Sequence, residues 1–136
     1  MRTVEVSRFV RALPAEVERA LTPAAVVEYE GSFEARSVEE TDDGWVVDVG
    51  GAGVAFPLRF EAREDGLHYE QAGDGGPLAR METTLSLAPE NEGTRVTATS
   101  TVAAGMPLAA VTDRIAAWKR KGELRRALRA LDEDLS

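Results

Sequence analysis

The stretch GMPLAAVTDRIAAWKRKGELRRALRALDEDL, residues 105–135, differs in pattern from everything before it. It is rich in Ala, Leu and Arg, which favour helix, and it contains Pro107, a residue that fits a first helical turn. The stretch therefore predicts one long C-terminal helix.

The apolar residues of this helix form two stripes. The first half has one stripe at i, i+3, i+7, i+10 spacing, made of Leu108, Val111, Ile115 and Trp118. The second half has another, made of Leu124, Leu128, Leu131 and Leu135. At about 100° per residue the two stripes lie almost opposite each other. A straight helix would then bury opposite sides along its length, unless it kinks at Gly122, where helix propensity is poorest.

The residues before this helix alternate between apolar and polar. A first strand is predicted over Thr3–Val10, because Val4 and Val6 alternate with polar neighbours. Two prolines and a glycine then predict short helices at Pro14–Leu21 and Pro23–Tyr29, ended by Gly31.

From residue 32 to 104 the sequence predicts six strands in consecutive hairpins. Glycine-containing turn signals separate them at 42–44, 50–53, 64–66, 73–77 and 89–93. The alternation within the strands predicts a sheet with one apolar and one wet face. Pro57 lies inside a strand, which predicts an edge position or a bulge. A long helix following such a sheet is the natural cover for its apolar face.

Composition limits the class of protein. At 136 residues the chain fits one soluble domain over 1–136. It has no cysteine and a single histidine, His68, which disfavours metal sites, and no apolar run long enough to span a membrane. We therefore expect a cytoplasmic protein with no metal or other cofactor and no stable membrane insertion. The net charge of −8, with only 2 Lys against 14 Arg, suggests a halophile's protein, although a GC-rich genome gives the same bias.

Two segments resemble the START-like superfamily, also called SRPBCC, which includes polyketide cyclase/dehydrase and lipid-transport proteins. The segment VSRFVRALPAEVERALTP, residues 6–23, is similar to the family's opening strand and helix. The segment TRVTATSTVAAGMPLAAVTDRIAAW, residues 94–118, is similar to its last strand and closing helix. The resemblance implies an α+β helix-grip fold: a seven-stranded curved antiparallel sheet, in the order β-αα-ββββββ-α, wrapped round the C-terminal helix.

The resemblance also implies a cavity for an apolar small molecule, such as a lipid, an isoprenoid or a polyketide-like compound, between sheet and helix. The periodicity of the strand and helix positions predicts that nine residues line this cavity: Phe56, Leu58, Phe60, Tyr69, Met81, Leu85, Val111, Ile115 and Trp118. The same residues also fit an ordinary packed core, and parity alone does not separate the two.

Two other functions stay open. A cyclase- or dehydratase-like reaction needs a polar group in the cavity, and the candidates are Glu30, His68 and Tyr69, with His68 expected on the wet face. No catalytic residue is assigned. The basic cluster around Lys119, Arg120 and Lys121 suggests a protein partner, or else is a solvated helix face. The acidic chain disfavours nucleic acid, and the oligomeric state stays open.

Overall fold

The computed structural model describes residues 1–51, 53–73, 76–105 and 109–136, with side chains from 111 onward in the last range. A first strand, β1 (Arg2–Val10), leads into two short helices, α1 (Pro14–Ala20) and α2 (Pro23–Glu30). Six strands and a long helix follow: β2 (Glu34–Glu40), β3 (Trp45–Gly51), β4 (Val54–Arg63), β5 (Gly66–Gln71), β6 (Arg80–Glu90), β7 (Gly93–Ala103) and α3 (Ala109–Leu135). Both short helices begin at the predicted prolines, and the Thr22 hydroxyl accepts a hydrogen bond from Ala25 N–H at the start of α2.

All seven strands form one antiparallel sheet in the order β1-β7-β6-β5-β4-β3-β2. The predicted meander from β2 to β7 is confirmed, and β1 joins it by pairing with β7. Predicted turns at 42–44, 64–66 and 89–93 join consecutive strands, whereas the turns predicted at 50–53 and 73–77 include residues outside the described ranges. Helix α3 packs against β1, β7 and α2. The expected α+β helix-grip architecture is therefore confirmed.

The prediction for Pro57 is wrong. β4 is an inner strand, and its register with β3 runs without a bulge through the Asp48–Pro57 pair. The ladder between β4 and β5 instead stops at the Leu58–Gln71 pair, one residue from Pro57. Proline has no N–H to donate, so it fits where this ladder ends. Its carbonyl still accepts a hydrogen bond from Ala72 N–H at 3.0 Å.

Helix α3 buries only one of its two apolar stripes. Leu124, Leu128 and Leu131 are buried in the core, and Leu135 is partly buried against it. The helix runs unbroken through Gly122, which faces open space. Pro107 and Leu108 lie outside the described residues.

The first stripe lies on the solvent side of α3, against our expectation. Val111, Ile115 and Trp118 are 58%, 60% and 79% exposed. In this half of the helix the side that faces the sheet is taken by Asp113 and Arg120 together with the small Ala117, all of them buried. The sequence pattern alone favoured the larger apolar side chains for the side of the helix that faces the sheet. The buried polar side chains of Asp113 and Arg120 lie there instead.

This orientation predicts different costs for two truncations in α3. Leu131→Ala opens a cavity in the core and should lower the free energy of unfolding by about 2–5 kcal/mol. Ile115→Ala removes an exposed side chain of similar size and should change it by no more than about 0.5 kcal/mol. Urea unfolding followed by circular dichroism measures both values, and a larger loss for Ile115→Ala than for Leu131→Ala would show that the helix is turned the other way.

Candidate ligand-binding site

Three hydroxyl side chains interrupt the apolar face of the sheet. Tyr69 on β5 lies opposite Thr83 on β6, and Thr83 lies opposite Ser100 on β7. All three are buried, and Thr83 Oγ1 is 2.8 Å from Ser100 Oγ. The Tyr69 ring also stacks on Phe60, with ring centroids 4.7 Å apart. A polar row, which we call the hydroxyl row (Tyr69, Thr83 and Ser100), therefore crosses strands β5, β6 and β7.

The Arg120 guanidinium of α3 covers the hydroxyl row. Its Nη2 donates to Tyr69 Oη at 2.9 Å and to Thr83 Oγ1 at 2.8 Å, and its Nε donates to Ser100 Oγ at 3.1 Å. The side chain is only 4% exposed. Arg120 was expected in a solvent-facing basic cluster, and that placement is wrong. The hydroxyl row supplies acceptors that a wholly apolar sheet would lack, so the guanidinium can be buried here.

Two carboxylates balance the charge of Arg120. Glu30, the last residue of α2, accepts from both terminal nitrogens, at 2.6 Å from Nη1 and 3.2 Å from Nη2. Glu123, one turn further along α3, accepts from Nη1 at 3.2 Å. The Tyr69 hydroxyl donates to Glu30, and the Ser32 hydroxyl donates to Glu123. In the described part of the chain no buried side-chain nitrogen or oxygen lacks a partner.

Arg120, Glu30, Glu123 and the hydroxyl row form what we call the charged cluster. This cluster shifts two pKa values strongly. Burial raises the pKa of Tyr69 far above its usual value of 10.0, and the neighbouring charge of Glu30 adds to the rise. For Arg120 burial lowers the pKa, but Glu30 and the other partners outweigh that effect and raise it well above the usual value. Tyr69 is therefore a neutral hydrogen-bond donor in the folded protein, and Arg120 is a fixed cation.

A cleft of about 190 Å³ opens beside this charged cluster. Its walls are mostly apolar and come from β4, β6, α3, the residue before β2 and the segment between β5 and β6: Phe33, Phe56, Leu58, Pro77, Leu78, Met81 and Ala116. Its polar lining consists of Glu30, Gln71, Lys119, Arg120 and Glu123. Deeper between α2, α3 and the centre of the sheet, side chains leave a void of only about 10 Å³. The space between sheet and helix is thus open at one end and packed at its centre.

A second cleft, of about 490 Å³, lies where α1 and the start of α2 face the sheet. Its lining includes Leu21, Trp45, Leu67 and Leu87, together with exposed charges at the rim. It is larger, but none of the buried polar residues lines it. Specific ligand sites combine apolar walls with a few fixed polar groups, so we take the smaller cleft as the candidate site.

The nine residues nominated by parity separate into three groups. Phe56, Leu58 and Met81 line the cleft, and their contact with a ligand stays a prediction. Phe60, Tyr69 and Leu85 are buried in the core behind it. Val111, Ile115 and Trp118 are on the outer side of α3 and do not line it.

Of the three polar candidates for catalysis, only Glu30 lines the cleft. Tyr69 lies behind it, hydrogen-bonded to Glu30. His68 is on the other face of the sheet, as expected, where its Nδ1 lies 2.9 Å from Thr84 Oγ1.

His68, Glu70 and Glu82 lie close enough to one another to suggest a metal site on the outer face of the sheet. The two carboxylates, however, already pair with arginines on the same face. Glu70 lies 3.7 Å from Arg59, and Glu82 lies 3.1 Å from Arg80. These residues therefore fit the cross-strand charge lattice that antiparallel pairing favours.

The hydroxyl row was the signal in the sequence that could have located the charged cluster. Thr83 stands between Met81 and Leu85 in strand parity, and Ser100 stands between Ala98 and Val102. Two buried hydroxyls at inward positions need a polar partner, which indicates that a polar side chain covers the sheet there. The sequence does not say that this side chain is Arg120.

The sequence matches, over residues 1–136, the family described as polyketide cyclase / dehydrase and lipid transport. The chain belongs to this family. A sequence comparison with curated proteins finds no match. In the described part of this family member, no helix is both long and apolar enough to cross a membrane.

Several solved structures share the fold of this polyketide cyclase/dehydrase and lipid-transport family member. A protein from Thermus thermophilus superposes with a TM-score of 0.78 at 22% identity, covering 98% of this chain and 97% of that one. The protein XoxI from Bacillus cereus gives 0.77 at 17% identity, with 99% and 96% covered. A START superfamily protein from Mycobacterium smegmatis gives 0.73 at 16% identity, with 98% and 99% covered. At these identities the likeness shows the fold alone.

The charged cluster predicts a large effect for loss of Arg120. Arg120→Met keeps most of the side-chain volume but leaves Glu30 and the hydroxyl row without their cation, and should lower the free energy of unfolding by about 3–5 kcal/mol. Arg125→Met, at an exposed position of the same helix, should change it by no more than about 0.5 kcal/mol. Chemical denaturation measures both, and a near-neutral Arg120→Met would contradict the assigned role.

The two tyrosines predict an unusual alkaline titration. Burial, together with the hydrogen bond and charge of Asp134, raises the pKa of Tyr29 to about 12, and the pKa of Tyr69 is raised further. The folded protein should therefore show no phenolate absorbance near pH 10. The stability contributed by neutral Tyr69 is complete below the unfolded pKa of 10.0 and is lost as pH rises above it. Ultraviolet titration of Tyr29→Phe isolates Tyr69, and a transition near pH 10 with intact circular dichroism would be the contrary result.

Proposed function

We propose that this protein binds a small, largely apolar molecule in the cleft beside the charged cluster. The observation that carries the proposal is the juxtaposition of an apolar cleft with a buried, fully hydrogen-bonded Arg120–Glu30 pair at its base. The family description, with its lipid-transport members, supports the same class of function.

The polar lining favours a neutral ligand that carries a hydrogen-bond donor. Arg120 already donates all five of its N–H hydrogens to protein acceptors, one from Nε and two each from Nη1 and Nη2, so none is left for a ligand. The carboxylates of Glu30 and Glu123 have further lone pairs that a ligand hydroxyl can use. The two carboxylates balance Arg120 and Lys119 in the lining, so the cleft offers no net positive charge to an anionic head group.

The cleft volume favours a compact ligand, or one that projects into solvent. At about 190 Å³ the cleft is smaller than the ~300–1,000 Å³ that is usual for drug-sized ligands. A mono- or bicyclic ring bearing one hydroxyl fits this description, as does the end of a longer isoprenoid or lipid chain. The packed centre prevents a long chain from running along the whole helix.

A cyclase- or dehydratase-like enzyme is the second candidate, because a carboxylate, that of Glu30, lines the cleft. Both of its oxygens are held by Arg120, and one also accepts from Tyr69. A general base needs a carboxylate oxygen that points at its substrate. Because protein donors hold both oxygens of Glu30, this carboxylate fits a fixed hydrogen-bond acceptor better than a general base. Binding is therefore the function that we favour.

The third candidate, a protein partner at Lys119, Arg120 and Lys121, needs revision. Arg120 is buried and Lys121 is half-buried, which leaves only Lys119 fully on the surface. These three consecutive residues point in different directions on a helix and do not form one contact surface.

Filling the cleft should weaken ligand binding. Ala116→Phe places a ring in the cleft and should weaken binding of the neutral fluorescent probe N-phenyl-1-naphthylamine by about tenfold or more. Ala130→Phe, at another half-buried position of α3 outside the cleft lining, is the matched control and should leave the probe affinity unchanged. Both variants must first give the native circular dichroism spectrum.

Competition with two displacing compounds tests the role of the polar lining. 2-Naphthol should displace the probe more effectively than naphthalene, because only the naphthol can donate a hydrogen bond to Glu30 or Glu123.

Probe affinity equal in the wild type and Ala116→Phe would exclude this cleft as the site. Mass spectrometry of an organic extract of the purified protein would then search for a ligand held elsewhere.

We also propose that the protein works in the cytoplasm of a salt-rich cell. The support is compositional: 24 acidic residues against 16 basic ones, with almost no lysine. Molar KCl should then raise the thermal midpoint by several degrees, because screening relieves repulsion among the carboxylates. Differential scanning calorimetry in dilute buffer and in KCl checks this, and an unchanged midpoint would refute salt adaptation.

A further inference from the structure

The solvent side of α3 has a composition unlike the rest of the molecule. We call it the outward face and define it by the exposed residues along one side of the helix: Val111, Arg114, Ile115, Trp118, Lys119, Gly122, Arg125, Arg126, Arg129 and Glu133. At about 100° per residue these positions share a continuous arc of the helix surface.

The outward face is cationic on an acidic protein. It carries five basic residues against one acidic residue, Glu133, at its far end. The whole chain has a net charge of −8. Within the described ranges none of Arg114, Lys119, Arg125 and Arg129 makes an ion pair, and Arg126 donates to the Glu30 carbonyl at 2.7 Å. Most of these cations are therefore not neutralised by the protein's own carboxylates.

The first half of the outward face is also apolar. Val111, Ile115 and Trp118 follow one another at i, i+4, i+7 spacing, and Trp118 is the most exposed of the three. Burying them against the sheet is impossible, because Arg120 and Asp113 hold the opposite side of the helix inward. Contiguous exposed apolar side chains of this kind mark an interaction surface.

We propose that the outward face of α3 binds an anionic phospholipid membrane surface, with Trp118, Ile115 and Val111 inserted between head groups. Apolar side chains including Trp, flanked by Arg and Lys on one exposed helix face, are the composition of interfacial helices. Anionic lipids complement the cations, while the acidic remainder of the chain is repelled, so the outward face is favoured to approach the membrane. A bilayer also conforms to a convex helix, whereas a folded protein partner would need a matching groove.

The docked orientation places the membrane beside the cleft. Ala116, Lys119, Arg120 and Glu123 of α3 line the cleft, and Lys119 belongs also to the outward face. An apolar ligand could then pass between bilayer and cleft without crossing much water. Membrane docking itself does not depend on the proposed ligand, and the two are measured separately.

The test is binding of the full chain to lipid vesicles, at the lowest salt concentration that preserves the native circular dichroism spectrum. Vesicles of phosphatidylcholine with phosphatidylserine should co-sediment the protein, and vesicles of phosphatidylcholine alone should not. In a Trp45→Phe background, the fluorescence of the remaining Trp118 should shift to the blue on binding. Each unit of charge near an anionic surface changes the partition coefficient by about fivefold. Arg125→Glu with Arg129→Glu changes the charge by four units, so it should lower the coefficient by at least about a hundredfold.

Matched variants separate this surface from general charge and hydrophobicity. Arg36→Glu with Arg63→Glu changes the net charge equally at exposed positions on strands β2 and β4 and should lower binding far less. Trp118→Ser should abolish binding, whereas Val38→Ser, at another exposed apolar position, should not.

Absence of vesicle binding, or equal losses in the test and control variants, would overturn the proposal. So would sedimentation showing that Trp118→Ser abolishes only self-association, because the face would then be a protein interface. Probe binding in the cleft is measured on the same variants, so failure of membrane docking and failure of the cleft site give different results.

Discussion

The structure depends on one buried cation. Arg120 reaches from the last helix across three strands, contacting Tyr69, Thr83 and Ser100, and it binds Glu30 at the end of α2. A guanidinium out of water is tolerated only when its donors are satisfied and its charge is paired. The hydroxyl row and the two carboxylates meet both conditions. The same contacts tie α3 to α2 and to the sheet at a fixed rotation of the helix.

This rotation decides what each side of α3 does. With Arg120 inward, the leucines of the second half also face inward, because they share its side of the helix. The apolar residues of the first half must then face solvent, together with most of the basic residues. The apolar and basic outward face of α3 is thus a geometric consequence of burying an arginine on the other side of the helix.

The charged cluster also determines where space is left. The centre of the sheet is packed against leucines and aromatic rings, and little void is left there. Near Arg120 the inward side chains are shorter, since Ala116 and Ala117 occupy the neighbouring helix positions, and the cleft opens beside them. The cleft therefore lies at the place where polar groups and small side chains replace bulky apolar ones.

The sequence by itself determined the elements, their order and the fold. Turn residues at regular intervals, prolines at both short helices and strict alternation in the strands are local signals, and they act through local backbone sterics and hydrogen bonding. The sequence also placed Phe56, Leu58 and Met81 on the inward face, because parity in a strand allows only two faces. His68 was assigned to the outer face for the same reason.

Only the tertiary structure decided the rotation of α3, the burial of Arg120 and the exposure of Trp118. Helical periodicity offered two nearly opposite apolar stripes and gave no reason to prefer either. The choice depended on a long-range match between one arginine, a row of hydroxyls on three strands and a carboxylate ninety residues away in the sequence. Such a match contributes through pairing and desolvation, which depend on the assembled neighbours and not on the helix sequence alone.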